Sequence, residues 1–166
     1  KCINANLPYS VFVECTATEQ IPSHYSKLLE HSISISTPNK VAISGNYKEY
    51  SSLKEKANKN NVFFHHETTV GAGLPVLSTL KNLKESGDKI LSIEGVFSGS
   101  VSYIFNTFSG KVSFSDTVKN AAKKGYTEPD PRIDLNGVDV KRKLVILSRE
   151  AGFNLKEEDF KIKMFL

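Results

Sequence analysis

The chain has 166 residues, 39% of them hydrophobic and 24% charged, with 22 basic side chains against 18 acidic ones and a net charge of +4. That is enough apolar material for a core, but no run approaches the ~18 consecutive apolar residues of a membrane span, and no charged start leads into a secretory signal. Cys2 and Cys15 form no CxxC and have no paired-histidine spacing, which excludes a disulfide framework or structural zinc site, and the lysines are scattered rather than massed on one nucleic-acid-binding face. The expectation is a cytoplasmic protein with no membrane and no nucleic-acid partner.

In chain order, Lys1 to Ser10 has turn character. Val11 to Cys15 is a short apolar run that reads as an inner strand expecting neighbours on both sides. Pro22 opens an amphipathic stretch with Tyr25, Leu28 and Leu29, which predicts a helix. Ile33 to Ser36 reads as a second strand, stopped by Thr37-Pro38-Asn39-Lys40. A helix is predicted from about Tyr47 to Asn60, with Tyr50, Leu53 and Ala57 on one face, followed by a third strand, Val62 to His66. The order β-α-β-α-β predicts a parallel sheet, because parallel neighbours need a long crossover connection.

Further on, Gly71-Ala72-Gly73 precedes Pro75, which is pre-set for helix entry, so a helix is predicted from Pro75 to Glu85. Lys89 to Phe97 alternates as a strand does, and Ser98-Gly99-Ser100 turns into an aromatic-rich helix, Tyr103 to Phe108. Ser113 is the expected N-cap of a helix ended by Gly125. Tyr126 to Asn136, with two prolines, reads as an ordered loop. A last helix is expected from Gly137 to Glu150, with Val140, Leu144, Leu147 and Ala151 as its core stripe.

A dinucleotide site needs a glycine-rich turn between the first strand and its helix, and none is present. Gly71-Ala72-Gly73 follows the third strand and lacks the third glycine. This gives the expectation of a fragment whose first βαβ unit lies upstream.

Four places carry candidate chemistry. Gly125 to Asp134 gathers carboxylates, an arginine and a phenol in ten residues stiffened by Pro129 and Pro131, which suits a binding loop as well as a solvated surface turn. Asp139 and Lys143 share a helix face at i,i+4 spacing, as any exposed ion pair does, but directly after that loop. Glu67 to Pro75 has the glycines to aim backbone groups at a small ion, or simply to turn from strand to helix. Lys40 stands at the carboxyl end of a predicted parallel strand, where open α/β sheets bind ligands. His65 and His66 point to opposite strand faces and cannot chelate one metal together.

Together, Thr37 to Lys40, Glu67 to Pro75, Ile93 to Phe105, and Gly125 to Arg132 with Asp134 to Lys143 resemble homoserine dehydrogenase, in order and spacing over nearly the whole chain. The Thr-Pro-Asn-Lys form and Asn6-Leu7-Pro8 resemble the bifunctional aspartokinase/homoserine dehydrogenase branch. The resemblance implies an α/β fold: the C-terminal part of a Rossmann-like parallel sheet over residues 1–66, then an incomplete α+β catalytic and dimerisation domain over 67–166. It implies an NADP- or NAD-dependent interconversion of L-aspartate 4-semialdehyde and L-homoserine, by a homo-oligomer built on dimers. By the same resemblance Lys143 and Asp139 are catalytic, Glu128, Asp134, Tyr126, Gly99 and Ser100 hold substrate, and Thr16 and Lys40 line the nicotinamide site. Glu67, with backbone oxygens of Val70, Ala72 and Leu74, matches a monovalent-cation site, usually sodium. Ile133 and Lys141 depart from the family's usual Asp and small residue. The rival reading is a non-catalytic remnant or subunit-assembly module. Because the glycine-rich turn is absent, the chain by itself is expected to bind nucleotide poorly and to have little turnover.

Overall fold

The computed structural model describes residues 2–5 and 7–163. Three short strands, β1 (Val11–Val13), β2 (Ser34–Ser36) and β3 (Phe64–His65), form one parallel sheet in the order β1-β2-β3, with Phe12 opposite Ile35 and Ile35 opposite Phe64. Helix α1 (Cys2–Ala5) precedes the sheet. The β1–β2 crossover is a 3-10 turn, Ile21–His24, running into α2 (Tyr25–Glu30). The β2–β3 crossover holds α3 (Val41–Ser44) and α4 (Tyr47–Lys59). Beyond the sheet lie α5 (Val76–Glu85), α6 (Gly99–Thr107), α7 (Phe114–Lys123), α8 (Pro131–Leu135) and α9 (Val138–Glu150).

Local chemistry accounts for these elements. Asn46 caps α4 by accepting from the Lys48 and Glu49 amides, and Tyr50, Leu53 and Ala57 are its buried face at i, i+3 and i+7. Ser113 caps α7 through the Asp116 amide at 3.1 Å, and Gly125 follows with φ +76°, a conformation that other residues adopt only with strain. One apolar core runs from Tyr25, Leu29, Ile35 and Ile43 through Tyr50 and Phe64 to Leu77 of α5 and Ile146 and Leu147 of α9. The catalytic-helix candidate therefore packs into the same core as the sheet.

Several expectations change. Among the described residues no strand lies beyond β1, and Val11 and Val13, read as inner-strand residues, are exposed. The turn-like start is helical at Cys2–Ala5, while Lys1 and Asn6 lie outside the described residues. Lys89 to Phe97 is extended but no strand, since no neighbouring strand among the described residues completes a ladder; Ile93 and Phe97 lean on the core while Leu91 and Val96 face outward. The acidic loop contains α8, because Asp130 and Pro131 act as an N-cap and first helical residue rather than as breakers; the Asp130 side chain accepts from the Arg132 amide at 3.1 Å. The buried face of α9 is Val145, Ile146, Leu147, Arg149 and Glu150, rotated from the expected Val140, Leu144, Leu147 and Ala151. The rotation follows from two neighbours: α3 and α5 both pack on α9. Among the described residues, no helix is long and apolar enough to cross a membrane.

Candidate active site

A cavity of about 560 Å³ opens where the carboxyl ends of β1 and β2 meet α6, α8 and α9. Thr16, Lys40, Gly99, Ser100, Glu128, Asp134, Asp139 and Lys143 all line it, although they are spread over nearly 130 positions of sequence. It is mixed in polarity and lies at the sheet edge where open α/β folds take ligands. A second cavity of about 480 Å³, lined by Val101, Phe105, Phe114, Leu135 and Leu144, is mainly apolar and carries none of the lysines and acids of the first except Asp134.

Asp139 stands between two ammonium groups. Its Oδ2 is 2.7 Å from Lys143 Nζ and its Oδ1 is 3.2 Å from Lys40 Nζ. Burial pushes the Asp139 carboxyl up, but the hydrogen bond from Lys143 and the charge of Lys40 outweigh it and hold the group below the usual aspartate range. Lys143 Nζ also donates to the Phe97 carbonyl at 2.7 Å. An ammonium has three donors, so two fixed contacts orient Lys143 and leave one N–H for a ligand oxygen.

Opposite, Asp134 Oδ1 accepts from Ser100 Oγ at 2.7 Å and Oδ2 accepts from the Glu128 amide at 2.9 Å. Ser98 caps α6 through the Val101 amide at 3.2 Å and lies 3.0 Å from Ser100 Oγ. Asp134 thus ties the α6 turn to the acidic loop and brings Glu128 beside it.

The sheet-side wall rests on Glu14, which is 2% exposed. Glu14 Oε1 accepts from the Thr16 amide at 2.6 Å and Thr16 Oγ1 at 2.5 Å; Oε2 accepts from Tyr25 OH at 2.5 Å and Thr37 Oγ1 at 2.7 Å. Burial pushes this carboxyl up, but the hydrogen bonds from Thr16, Tyr25 and Thr37 outweigh it and hold the group at about 2. Thr37 Oγ1 accepts from the Asn39 amide, and the Asn39 side chain donates to the Thr18 carbonyl at 2.8 Å and accepts from the Val41 amide at 3.0 Å. The two loops that carry Thr16 and Lys40 are held as one unit.

Behind α9, Glu150 accepts from Tyr50 OH at 2.6 Å and Lys54 Nζ at 2.8 Å, and lies 3.3 Å from His66 Nε2. Arg149 donates to the Ile43 and Gly45 carbonyls and stacks on Tyr47 and Tyr50. Sequence reading missed Glu14, Arg149 and Glu150. A charged residue closing a strand, and an Arg-Glu pair within an apolar helix face, were the available signals.

Two expected groups stand apart from the cavity lining. Tyr126 stacks on Tyr103, ring centroids 4.1 Å apart, and is half exposed. Glu67 uses its carboxylate as a cap for α5, accepting from the Leu77 and Ser78 amides at 2.8 and 2.9 Å. In the same turn Ala72 has φ +52° and the Leu74 carbonyl accepts from the Val76 amide. No cluster of three or more His, Cys, Asp or Glu side chains suited to a metal occurs among the described residues.

A parallel α/β sheet with an acid-and-lysine cavity at its carboxyl edge defines the class of α/β proteins built on a Rossmann-like sheet. The homoserine dehydrogenase family model matches residues 75–166, and the model described as the NAD binding domain of homoserine dehydrogenase matches residues 3–67. The chain belongs to the homoserine dehydrogenase family. It is 50% identical over 160 residues to the chloroplastic bifunctional aspartokinase/homoserine dehydrogenase 2 of Zea mays, covering 96% of this chain and 17% of that protein. It is 47% identical to the homoserine dehydrogenase of Schizosaccharomyces pombe, covering 95% of this chain and 43% of that one. A hyperthermophilic archaeal homoserine dehydrogenase in complex with NADPH superposes with a TM-score of 0.76 at 30% identity, over 85% of this chain and 43% of that one. The chain therefore spans less than half the length of these relatives.

Proposed function

We propose that this chain forms the catalytic cleft of a homoserine dehydrogenase, with residues 1–66 completing the nucleotide-binding side and 67–166 the substrate and dimerisation side. The reaction is L-homoserine + NAD(P)+ ⇌ L-aspartate 4-semialdehyde + NAD(P)H + H+. The observation that carries the reading is the Lys143 ammonium, fixed by Asp139 and the Phe97 carbonyl in one cavity with Glu128, Asp134 and Ser100.

When bound, the nicotinamide cofactor accepts or supplies the hydride. The Thr16 and Lys40 wall fits such a ring in being a rigid, hydrogen-bonded surface at the carboxyl edge of the sheet. Lys143 holds a proton at Nζ beside the reacting oxygen: as an aldehyde is reduced it stabilises the negative charge that develops there and donates its proton. In the reverse direction it takes the proton back. Asp139 pairs with Lys143 and orients it. Glu128 and Asp134 hold the substrate ammonium, the α6 turn at Gly99 and Ser100 receives its carboxylate, and Tyr126 flanks the acidic loop. Glu67 and the carbonyls of Val70, Ala72 and Leu74 would hold a sodium ion that stiffens the turn; each Glu67 oxygen has one amide donor and so keeps a lone pair.

The test is an NMR titration of the chain with L-homoserine, with Glu128→Ala as control. Amide shifts at Ser100 and Asp134 that vanish in the variant are expected; a dispersed spectrum without response would favour the assembly-module reading. Measurable homoserine-dependent NADP+ reduction by the 166-residue polypeptide alone would overturn the expectation of weak nucleotide binding and little turnover.

A further inference from the structure

Glu14 is a buried carboxylate whose four hydrogen-bond donors are all neutral: an amide, two threonine hydroxyls and a phenol. Among the described residues no lysine, arginine or histidine pairs with it. Neutral donors stabilise the ionised form but leave its net charge in place, and in poorly screened surroundings that charge acts over several ångströms. Thr16, which donates twice to Glu14, lines the cavity, so the anion sits one hydrogen bond behind the wall. The other acid of that wall, Asp139, is held between two ammonium groups, Lys40 and Lys143, whose one surplus positive charge is the same in wild type and in the Glu14 variants.

We propose that Glu14 is a positioning residue whose uncompensated charge makes the Thr16 wall favour the oxidised, cationic nicotinamide ring over the neutral reduced one. This rests on the homoserine dehydrogenase reading, in which Thr16 lines the nicotinamide site. The oxidised ring carries one positive charge and the reduced ring none, so a fixed anion behind the wall attracts only the oxidised form. Geometry alone does not discriminate in this way: a residue that merely held Thr16 in place would affect both forms alike.

The experiment measures the dissociation constants of NADP+ and NADPH, by protein and nucleotide fluorescence, for wild type, Glu14→Gln and Glu14→Asp in the full-length polypeptide carrying these residues. Glu14→Gln keeps the size and removes the charge; the ratio Kd(NADP+)/Kd(NADPH) is expected to rise about fivefold or more, the order expected for a unit charge several ångströms away after screening. Glu14→Asp keeps the charge, and its ratio is expected to stay within about twofold of wild type. Equal weakening of both nucleotides in Glu14→Gln overturns the proposal and leaves the enzyme reading standing. If Glu14→Gln does not fold, Glu14→Met, equally neutral and of similar size, decides: a ratio raised about fivefold supports the charge effect, and equal weakening of both nucleotides overturns it. Failure of wild type to bind either nucleotide overturns the enzyme reading along with this one.

Discussion

At the scale of single residues, the cavity is an arrangement of charges in which each lysine has an assigned partner. Asp139 divides its two oxygens between Lys143 and Lys40, so removing Lys143 leaves Asp139 still paired. Lys143→Met is accordingly expected to lower kcat/KM for homoserine oxidation in the full-length polypeptide at least ~100-fold, the usual scale for losing a general acid, with little change in thermal midpoint. Steady-state kinetics and a melting curve on the same sample check this, and a melting point that falls with activity would assign Lys143 a structural role. Glu14 shows the complementary case, a charge with hydrogen bonds and no ion pair. Its carboxyl sits at about 2 against 4.5 in the unfolded chain, so the stabilisation is present above pH 4.5 and is lost as pH falls toward 2. The difference corresponds to about 3 kcal/mol. Urea melts of wild type and Glu14→Gln between pH 7 and pH 3 are expected to converge as the pH drops; parallel curves would mean that the wild-type carboxyl is not depressed.

Among the elements, α9 turns cavity-lining charges to one face and the architecture to another. Asp139 and Lys143 reach the cavity from its first turns, while Arg149 and Glu150 anchor its last turn to α3, α4 and the end of β3. Burial pushes the Glu150 carboxyl up, but the His66 hydrogen bond and the charges of Lys54 and His66 outweigh it and hold it well below the usual range. Its contribution too is present above the unfolded-state value of 4.5 and is lost on acidification. Glu150→Gln removes the counter-charge of Lys54 and the carboxylate acceptor of His66 and Tyr50, and is expected to cost about 2 kcal/mol in denaturant melts, solvent around the half-buried Lys54 softening the loss. On α7, Ser113→Ala removes only a cap and is expected to cost about 1 kcal/mol. A cost for Glu150→Gln no larger than that of the cap would show that the anchor is not load-sharing between α4 and α9.

For the whole molecule, the unsatisfied surfaces are informative. Leu91 is 92% exposed and Val96 78% exposed on an extended stretch that has strand alternation but no ladder. Apolar side chains on such a stretch suit pairing with further chain, and in the proposed dimer-based assembly with a second copy. Leu91→Lys with Val96→Lys is then expected to lower the sedimentation coefficient of the full-length polypeptide relative to wild type, and an unchanged coefficient would remove this stretch from the interface.

The sequence by itself determined the elements whose signals are local. The helix from Tyr47 announces itself through the Tyr50, Leu53, Ala57 spacing, and α7 through Ser113 and Gly125, because caps and periodicity act within a few residues. The parallel sheet followed from crossover length, and the candidate acids and lysines followed from their motifs. Tertiary structure decided what depends on neighbours distant in sequence: which face of α9 is buried, that Lys89 to Phe97 has no strand partner among the described residues, and that Asp130-Pro131 opens a helix rather than ending one. It also decided that Asp139 serves Lys40, 99 positions away, as well as Lys143. The partners of Glu14 could not be read from sequence for the same reason. A buried carboxylate is recognised by the donors around it, and two of those donors, Tyr25 and Thr37, reach it only when the crossover returns the chain to the sheet.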